Sequence, residues 1–364
     1  MKVIEGNVLE GGGQLLRNTV ALSALLQTPV TVHKIRNGRS PPGLKNQHAT
    51  GLRLVAEICC AQLTGAHPGS ESISFTPGPL RLPGSFHANP QTAASTALLL
   101  QVALPCLLFA PTPEPSTLML QGGTNAAQAP QIDYTQHVLL PFLRRHFALS
   151  PELNVFKRGY FPKGGGTVAF SLPPVRGPLP PVTLTERGRV AAVRGRAYVA
   201  GLPAELARKM RDAATASLVA AGVDARLIQI DALRERDCDV HGSGSGVVLW
   251  AETEGGCVLA GSSLGTKKKD PSVVGAEAAA ELSRNLSHGG CVDEHLQVCS
   301  DQIIIFLALA KGESTISTGP ITMHTRTAIW VAEQLTEAKF EVQESPGGRC
   351  LITCNGIGFS IPHA

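Results

Sequence analysis

Residues with the types and spacing needed for phosphate chemistry occur in three clusters, the first of them near the N-terminus. Glu10 is followed by Gly11–Gly13, and Arg17 lies seven residues after the glutamate at the start of a predicted helix. Glycines let backbone N–H groups approach an anion closely, and a helix N-terminus adds partial positive charge. Glu10 is suited to a divalent metal and Arg17 to a phosphate. A glycine turn with a capping carboxylate explains the same residues equally well.

The second cluster is a cationic loop between residues 34 and 48. Lys34, Arg36, Arg39 and Lys45 lie within twelve residues that contain no acid, and Gln47-His48 follow. A rigid Pro-Pro-Gly interrupts the run. Such a loop is typical of phosphate binding, because several cations without counter-charges attract an anion. The competing interpretation is a solvated hairpin.

The third cluster lies near the other end of the chain, where Gly319-Pro-Ile-Thr-Met-His324-Thr-Arg326 precedes an amphipathic helix. A helix N-terminus disfavours a charged imidazole, so His324 is expected to keep a neutral, nucleophilic nitrogen, with Arg326 beside it for a phosphate. A packed or capping histidine is the alternative. A further glycine loop, residues 158–166, carries two cations, Arg158 and Lys163.

The elements that must position these clusters form a faint internal repeat. A helix, a strand, a second helix and a second strand follow one another three times. The predicted second helices are Gln47–Cys60, Asp133–Phe147 and Thr325–Phe340. The first helices are Gly13–Leu26, Thr92–Ala110 and Asp301–Ala310. The pattern predicts an α/β (α+β) fold of three repeated units, each with two helices on a sheet.

The spacing between units predicts an inserted domain. Asp133 lies 86 residues after Gln47, but Thr325 lies 192 residues after Asp133, and the excess is the size of a small domain. A proline-rich stretch precedes this segment and His288-Gly-Gly follows it. We expect a large three-repeat catalytic domain from residues 1–183 and 291–364, and a small α/β domain from residues 184–290. Within the insert, residues 189–201 are expected to form a strand pair.

The charge distribution favours a local anion site over an extended nucleic-acid surface. Lys and Arg number 32 against 28 Asp and Glu, and residues 1–60 alone carry seven basic and three acidic side chains. The remaining chain is balanced, and aromatic residues are only 4%. An extended single-strand track needs a long basic groove with stacking platforms. The composition, with 43% hydrophobic residues, also excludes charged, core-poor disorder.

The cysteines and the N-terminus indicate an intracellular protein. Nine cysteines without CxxC pairs are typical of free thiols in a reducing compartment. Glu5 and Glu10 occupy the region where a signal peptide needs apolar residues. The longest apolar stretch, residues 96–110, is interrupted by Gln101 and Pro105 and is too short to cross a bilayer. We therefore expect a soluble protein with no membrane partner.

Taken together, the motifs resemble those of the RNA 3′-terminal phosphate cyclases, in order along nearly the whole chain. The matching segments are EGGGQLLR (10–17), KIRNGRSPPGLKNQH (34–48), GGTNAAQAPQIDY (122–134), RGYFPKGGG (158–166), TERG (185–188), DQIIIFLALA (301–310) and GPITMHTRTAIWVAEQ (319–334). The resemblance implies three repeats, each of two helices on a four-stranded sheet, with a small inserted α/β domain. The family of enolpyruvyl transferases has similar repeats but not this histidine context.

The resemblance also implies an activity and a set of site residues. His324 would attack the α-phosphate of ATP to form an adenylyl-histidine, AMP would pass to the RNA 3′-phosphate, and the 2′-hydroxyl would close a 2′,3′-cyclic phosphate. Such an enzyme is an ATP-dependent ligase that forms phosphoric ester bonds. Glu10 would bind a divalent metal, Mg²⁺ or Mn²⁺. The phosphate and RNA contacts implied are Arg17, Arg36, Arg39 and Gln47, and the ATP-pocket residues are Gln101, Pro130, His295, Asp301 and Gln302.

The sequence departs from the family pattern near the ATP pocket. His295 stands where relatives often have Tyr, and Val298-Cys299-Ser300 is an apparent insertion directly before Asp301. The insertion could bulge harmlessly or shift His295 relative to Asp301 and weaken ATP binding.

The nearest alternative is the cyclase-like protein of ribosomal RNA processing, which keeps the fold, lacks the histidine and acts by binding RNA. The presence of His324 favours catalysis. The expected partners are therefore ATP and an RNA 3′-phosphate end, with no obligate protein partner, and the resemblance implies the nucleus as location.

Overall fold

The first repeated unit places two helices against a small sheet. A computed structural model describes residues 1–293 and 302–361. The unit consists of β1 (Lys2–Glu5), α1 (Gly13–Leu26), β2 (Val30–His33), α2 (Asn46–Ile58), β3 (Gln62–Thr64) and β4 (Ile73–Thr76). The strand order is β1-β2-β4-β3, with β1 and β2 parallel and the other pairs antiparallel.

The second unit repeats this topology, and its first helix continues into a 3₁₀ turn. It comprises β5 (Ser85–Ala88), α3 (Thr96–Ala103) continued by a 3₁₀ turn (Leu104–Leu107), β6 (Ser116–Gly122), α4 (Ile132–Tyr134), a π-helical turn (Thr135–Leu139), α5 (Leu140–Phe147), β7 (Glu152–Gly159) and β8 (Gly166–Leu172). Its sheet runs β12-β7-β8-β6-β5, and the additional two-residue strand β12 (Val240–His241) comes from the inserted segment.

The third unit begins with β9 (Thr183–Leu184), after which the inserted segment follows at once. The segment comprises β10 (Val190–Ala200), α6 (Ala204–Ala220), β11 (Ile228–Arg234), β12, β13 (Gly244–Thr253), β14 (Val258–Leu264) and α7 (Pro271–Ser287), with short 3₁₀ turns at Ala225–Leu227 and Asp237–Asp239. Its own sheet has the order β11-β10-β13-β14, and α6 and α7 pack together against it. The domain division at residues 184 and 290 stays a prediction.

The third unit then resumes and closes a sheet of the order β16-β17-β15-β9. Its remaining elements are α8 (Gln302–Leu309), β15 (Lys311–Thr318), α9 (Met323–Leu335), β16 (Lys339–Glu344) and β17 (Cys350–Ile357). In all three sheets the first strand pairs in parallel with the second, and the next pairing is antiparallel. The predicted fold of three repeats with an inserted α/β segment is confirmed.

Apolar helices at the centre of the molecule join the units. In α1 only Arg17 is charged, and eleven of its fourteen residues are buried, as expected of a helix that is apolar nearly all round. It packs against α2, α3 and α9, so helices from all three units meet along it. The residues of α8 from Ile303 to Leu309 are at most 3% exposed. Among the described residues, no helix combines the length and apolar character required to cross a membrane.

Two element predictions are wrong in detail. Residues 190–200 form the single strand β10, which pairs with β13 from Val190 to Ala200. Its central Gly195 lies opposite Leu249, where a Cβ would come within 2.5 Å of the leucine side chain. The last predicted helix ends at Leu335 instead of Phe340. Thr336 leaves the helical conformation there, and its hydroxyl accepts the backbone N–H of Ala338 before β16 begins.

Candidate active site

Three helices begin at one cleft of about 610 Å³. Gly12, Gly13 and Gln14 open α1, Lys45, Gln47 and His48 open α2, and His324 lies in the first turn of α9. The cleft is lined by Glu10, Gly12, Gly13, Gln14, Arg17, Arg36, Arg39, Ser40, Lys45, Gln47, His48, Leu98, Ala127, Gln128 and His324. Helix N-termini present free N–H groups and partial positive charge. The arrangement therefore favours an anion with several charges.

The glycines at the start of α1 leave room for two polar side chains inside the cleft. A Cβ on Gly13 would lie 2.3 Å from Nε2 of His48, and one on Gly12 would lie 2.1 Å from the carboxylate of Glu10. Gly12 is the N-cap of α1 and contributes no side-chain cap. With no side chain capping them among the described residues, the first-turn N–H groups of α1 are available to a bound anion.

The position of His324 is set by its helix and by a residue 310 positions away. The hydroxyl of Thr322, the N-cap of α9, accepts a hydrogen bond from the backbone N–H of Thr325 at 3.1 Å. Gln14 on α1 donates its side-chain amide to the carbonyl oxygen of His324 at 2.7 Å, and its Oε1 contacts Nδ1 of the imidazole. The side chain and backbone of the histidine are therefore held by one glutamine.

The Gln14 contacts determine which imidazole nitrogen carries the proton. A backbone carbonyl can only accept, so the amide NH₂ of Gln14 must face the carbonyl of His324 and Oε1 must face the ring. Oε1 is itself only an acceptor, so Nδ1 must donate. In the neutral ring this leaves the lone pair on Nε2. The geometry thus supplies an unprotonated Nε2 nucleophile.

The surroundings also keep the ring neutral. Burial lowers the pKa of His324, the cations Arg17 and Arg39 lower it further, and the Glu10 carboxylate opposes them. The resulting pKa is below the usual value, so the neutral form predominates at neutral pH.

The cations occupy different positions around the cleft. Arg39 forms an ion pair with Glu10 at 2.6 Å and is half exposed. Arg36 is buried, and its guanidinium donates to the carbonyl oxygens of Pro41 and Gly43 at 3.3 and 2.7 Å, which fixes the Pro-Pro-Gly turn. Arg17 extends from α1 into the cleft lining and Lys45 is the N-cap residue of α2. The cationic loop and the first glycine motif thus converge.

Glu10 has one carboxylate oxygen suited to a metal ion. Its Oε1 pairs with Arg39, while Oε2 is buried without a hydrogen-bond partner among the described residues. Within that same part of the chain no group of three or more His, Cys, Asp or Glu side chains could hold a metal. Mg²⁺ commonly binds one or two carboxylates and completes its shell with water and substrate phosphates. The single orphaned oxygen fits that mode of binding.

Of the residues implied for the ATP pocket, two have described side chains. Gln101 is buried, and neither of its amide atoms has a hydrogen-bond partner within the described ranges. It lines a small cavity with Asn18 and Leu139, separate from the main cleft. Pro130 is buried two residues after Gln128, which lines the cleft. His295 and Asp301 lie outside the described residues, as does the apparent insertion at residues 298–300, and the side chain of Gln302 is likewise not described.

Other cleft residues were not selected as site residues from the sequence. His48 accepts the backbone N–H of Lys45 on Nδ1 at 3.0 Å, and burial together with Arg17, Arg36 and Lys45 lowers its pKa to about 3. Gln14 and Gln128 have no sequence signal beyond their place in the glycine motif and in the 122–134 segment. Gln47, predicted from the resemblance, accepts the backbone N–H of Ser95 at 2.9 Å and lines the cleft.

Two predicted cations serve elsewhere. Arg326 is half exposed and forms an ion pair with Glu344 at 2.8 Å. Arg158 is buried and makes a two-pronged ion pair with Asp133, with both bonds at 2.7 Å. Arg158 is therefore a structural cation rather than part of a phosphate loop.

The fold and the cleft define a three-repeat protein in which helix N-termini and cations surround a neutral histidine. A family model described as RNA 3′-terminal phosphate cyclase matches residues 8–342. A Drosophila melanogaster protein named RNA 3′-terminal phosphate cyclase is 41% identical over 98% of this chain and 97% of its own length. A Pyrobaculum neutrophilum protein of the same name is 38% identical over 98% and 99%, respectively. The chain belongs to the RNA 3′-terminal phosphate cyclase family, as its motifs predicted.

Proposed function

We propose that this protein converts an RNA 3′-terminal phosphate to a 2′,3′-cyclic phosphodiester at the expense of ATP. The observation that carries the proposal is the convergence of three helix N-termini and several cations on a neutral histidine whose Nε2 is free to attack. The names of its relatives support the same overall reaction.

In the first step Nε2 of His324 attacks the α-phosphorus of ATP. A P–N bond forms, the bond between the α-phosphorus and the bridging oxygen breaks, and pyrophosphate leaves. The Nδ1 proton stays on the ring, where Gln14 accepts it in a hydrogen bond. The intermediate is adenylyl-histidine.

In the later steps AMP passes to the RNA and is then displaced. A terminal 3′-phosphate oxygen attacks the adenylyl phosphorus and the P–N bond breaks, which restores His324. The 2′-hydroxyl then attacks the activated 3′-phosphorus, loses its proton and expels AMP. This attack is favoured by proximity, because the hydroxyl and phosphate are on adjacent carbons of one ribose.

The remaining cleft residues neutralise and orient phosphates. We assign Arg17, Arg36, Arg39 and Gln47 to the triphosphate or the RNA phosphate, with Arg36 acting mainly by fixing its turn. Glu10 would hold a divalent metal, Mg²⁺ or Mn²⁺, which would neutralise phosphate charge when bound.

For the ATP pocket we propose the residues implied by the family resemblance. They are Gln101, Pro130, His295, Asp301 and Gln302. The amide of Gln101 has no hydrogen-bond partner among the described residues, which supports a ligand nearby, since a buried amide without partners is costly.

The test is covalent labelling with α-labelled ATP and Mg²⁺. The wild-type protein and the matched control His67→Ala, at an exposed histidine, should form an acid-labile labelled adduct, whereas His324→Ala should form none. Equal labelling of His324→Ala would overturn the proposed nucleophile. A second readout is the conversion of a 3′-phosphorylated RNA to a phosphatase-resistant end. RNA binding with no label and no conversion would instead indicate the non-catalytic, cyclase-like alternative.

We also propose a nuclear location, on the basis of the family resemblance alone. Imaging of the tagged chain in a eukaryotic cell tests it, and exclusion from the nucleus would contradict it.

A further inference from the structure

Beside the cleft, a tight turn at residues 160–164 presents an aromatic side chain to solvent. The side chain of Phe161 is 79% exposed, and Lys163 next to it is exposed as well. The backbone N–H of Gly164 donates to the carbonyl of Tyr160 at 2.9 Å, which closes the turn. Tyr160 itself is only 3% exposed and packs against Tyr198 of the inserted segment. The base of the turn is thus anchored, while at its tip Phe161 is not packed into the core formed by the described residues.

The turn is joined to both walls of the cleft by close backbone contacts. On one side, a Cβ on Gly164 would lie 2.6 Å from the carbonyl oxygen of Thr92, so the two segments touch. Three residues later Ser95 donates to Gln47, which lines the cleft.

On the other side, Gly159 accepts the backbone N–H of Thr124 at 3.0 Å, and Ala127 and Gln128 of the same loop line the cleft. Three residues span at most about 10 Å. The Phe161 turn therefore sits within reach of the nucleotides that precede an RNA end held in the cleft.

The charge of this region suits a polyanion. Three of the segments that meet here, residues 89–95, 122–128 and 159–166, contain no acidic residue. The inserted segment reaches the turn at β12, and the two acids just before it, Asp237 and Asp239, are paired with Arg234 and Arg236. Lys163 has no ion-pair partner among the residues that the structure describes, and the exposed imidazole of His241 lies against Gly165. An aromatic face with a cation beside it is the combination that single-stranded nucleic acids use for stacking and backbone contact.

Resting on the proposed function, we propose that Phe161 and Lys163 form a subsite for the RNA strand upstream of its 3′-phosphate. A base stacks on the Phe161 ring and Lys163 contacts a backbone phosphate. Because every base has a flat face, this subsite binds an upstream base of any sequence. It therefore favours a single-stranded RNA over a substrate that has no nucleotide before the 3′-phosphate. It supplies a stacking platform outside the catalytic cleft in a chain with few aromatic residues.

The test compares a short single-stranded RNA bearing a 3′-phosphate with a nucleoside 3′-phosphate, which has no upstream base. Phe161→Ala should weaken binding of the RNA by about tenfold, as expected for one stacked base. It should leave competition by the nucleoside 3′-phosphate unchanged, and Phe161→Trp should restore RNA binding. Phe156→Ala is the matched control, because Phe156 is also exposed, at 60%, but lies in β7 outside the turn. Phe156→Ala should bind RNA like the wild type.

Lys163→Gln provides an independent arm. It should reduce the slope of log Kd against log salt by about 0.7, the contribution of one single-strand phosphate contact. Unchanged RNA binding by both variants, or equal weakening of RNA and nucleoside binding by Phe161→Ala, would overturn the subsite. Failure of His324 labelling would overturn the proposed function instead, since the binding measurements need no chemistry.

Discussion

At the scale of single residues, Gln14 is the side chain that sets the tautomer of the half-buried His324, the nucleophile of the proposed reaction. It binds both the backbone and the ring of His324, and its amide orientation leaves no choice about the tautomer. Gln14→Ala removes two hydrogen bonds of about 1 kcal/mol each, so we expect the rate of adenylylation to fall about thirtyfold at every pH. Gln62→Ala, at an exposed position in β3, is the control and should have no effect.

The variant Gln14→Glu distinguishes the effect of residue 14 on the position of His324 from its effect on the charge of the imidazole. A carboxylate beside the ring favours the imidazolium, so it raises the pKa of His324. The rate should then fall at neutral pH and recover as the pH rises through that higher pKa. Pre-steady-state adenylylation measured across pH tests both variants, and identical pH profiles for Gln14→Ala and Gln14→Glu would contradict the assigned tautomer.

The lowered pKa of His48 predicts that the folding stability depends on pH. Its pKa is about 3 in the folded protein and about 6.5 when unfolded, so between these values the unfolded chain binds a proton that the folded chain does not. Stability therefore falls as the pH falls below about 6.5, by about 2 kcal/mol between pH 7.5 and pH 5. His48→Gln should remove that part of the loss. Urea denaturation at the two pH values measures it, and an unchanged difference would count against the depressed pKa.

At the scale of elements, the N-cap of α9 is expected to affect both the stability of the helix and the proposed adenylylation of His324. Thr322→Ala removes the N-cap hydrogen bond to Thr325 and should cost about 1 kcal/mol of folding stability. It should also slow adenylylation several-fold, because His324 lies in the uncapped turn. The control is Asp270→Ala, which removes the equivalent N-cap of α7, where Asp270 accepts the N–H of Ser272 at 2.8 Å. Its stability loss should be similar, with no change in rate.

The helices and the repeat were predictable because their signals are local. The predicted helix Gly13–Leu26 coincides with α1, whose apolar residues and glycine start specify both burial and boundary. Residues 189–201 were predicted as a strand pair, whereas they contain the single strand β10, whose central Gly195 lies against Leu249 on the neighbouring strand. A packing contact with a strand far along the chain cannot be read from the local sequence pattern around the glycine.

The site was predictable in its parts but not in its assembly. The cationic loop and the glycine motif are visible in the sequence, as is His324. Their convergence depends on α1 and α9 packing together, with Gln14 and His324 separated by 310 residues. For the same reason the sequence could not show that Arg158 is used by Asp133 and Arg326 by Glu344.

At the scale of the whole molecule, a buried ion network fastens the inserted segment to the second repeat. Asp133 is fully buried and binds Arg158 and, at 3.4 Å, Arg196 of β10, while Arg158 also pairs with Glu235 at 3.0 Å. Burial alone raises the pKa of Asp133, but Arg158, Arg196 and a hydrogen bond from Asn125 outweigh it and lower the pKa to about 2. The ionised Asp133 therefore stabilises the fold above about pH 4, and this stabilisation is lost as the pH falls to about 2.

Neutralising Asp133 should destabilise the molecule strongly. Asp133→Asn leaves the buried Arg158 and the partly buried Arg196 with Glu235 as their one shared counter-charge among the described residues, and breaking a buried ion pair costs about 3–5 kcal/mol. Asp212→Asn is the control, since Asp212 forms an exposed pair with Arg211 and should change stability little. Urea midpoints compare the two variants, and equal midpoints would show that the buried network contributes no more than a surface pair.

The network further predicts that the inserted segment and the repeats unfold as one unit. The chain has two tryptophans, Trp250 in β13 and Trp330 in α9, and Trp250 stacks on His137 of the second repeat with ring centroids 4.3 Å apart. Trp330→Phe and Trp250→Phe each leave one reporter. In both variants the fluorescence transition in urea should coincide with the loss of far-ultraviolet circular dichroism. We expect this because the Asp133 ion network and the stacking of Trp250 on His137 join the inserted segment to the second repeat. If the fluorescence of Trp250 changes at a lower urea concentration than the circular dichroism, the inserted segment unfolds on its own. The ion network would then hold the segment in place without making its folding cooperative with that of the repeats.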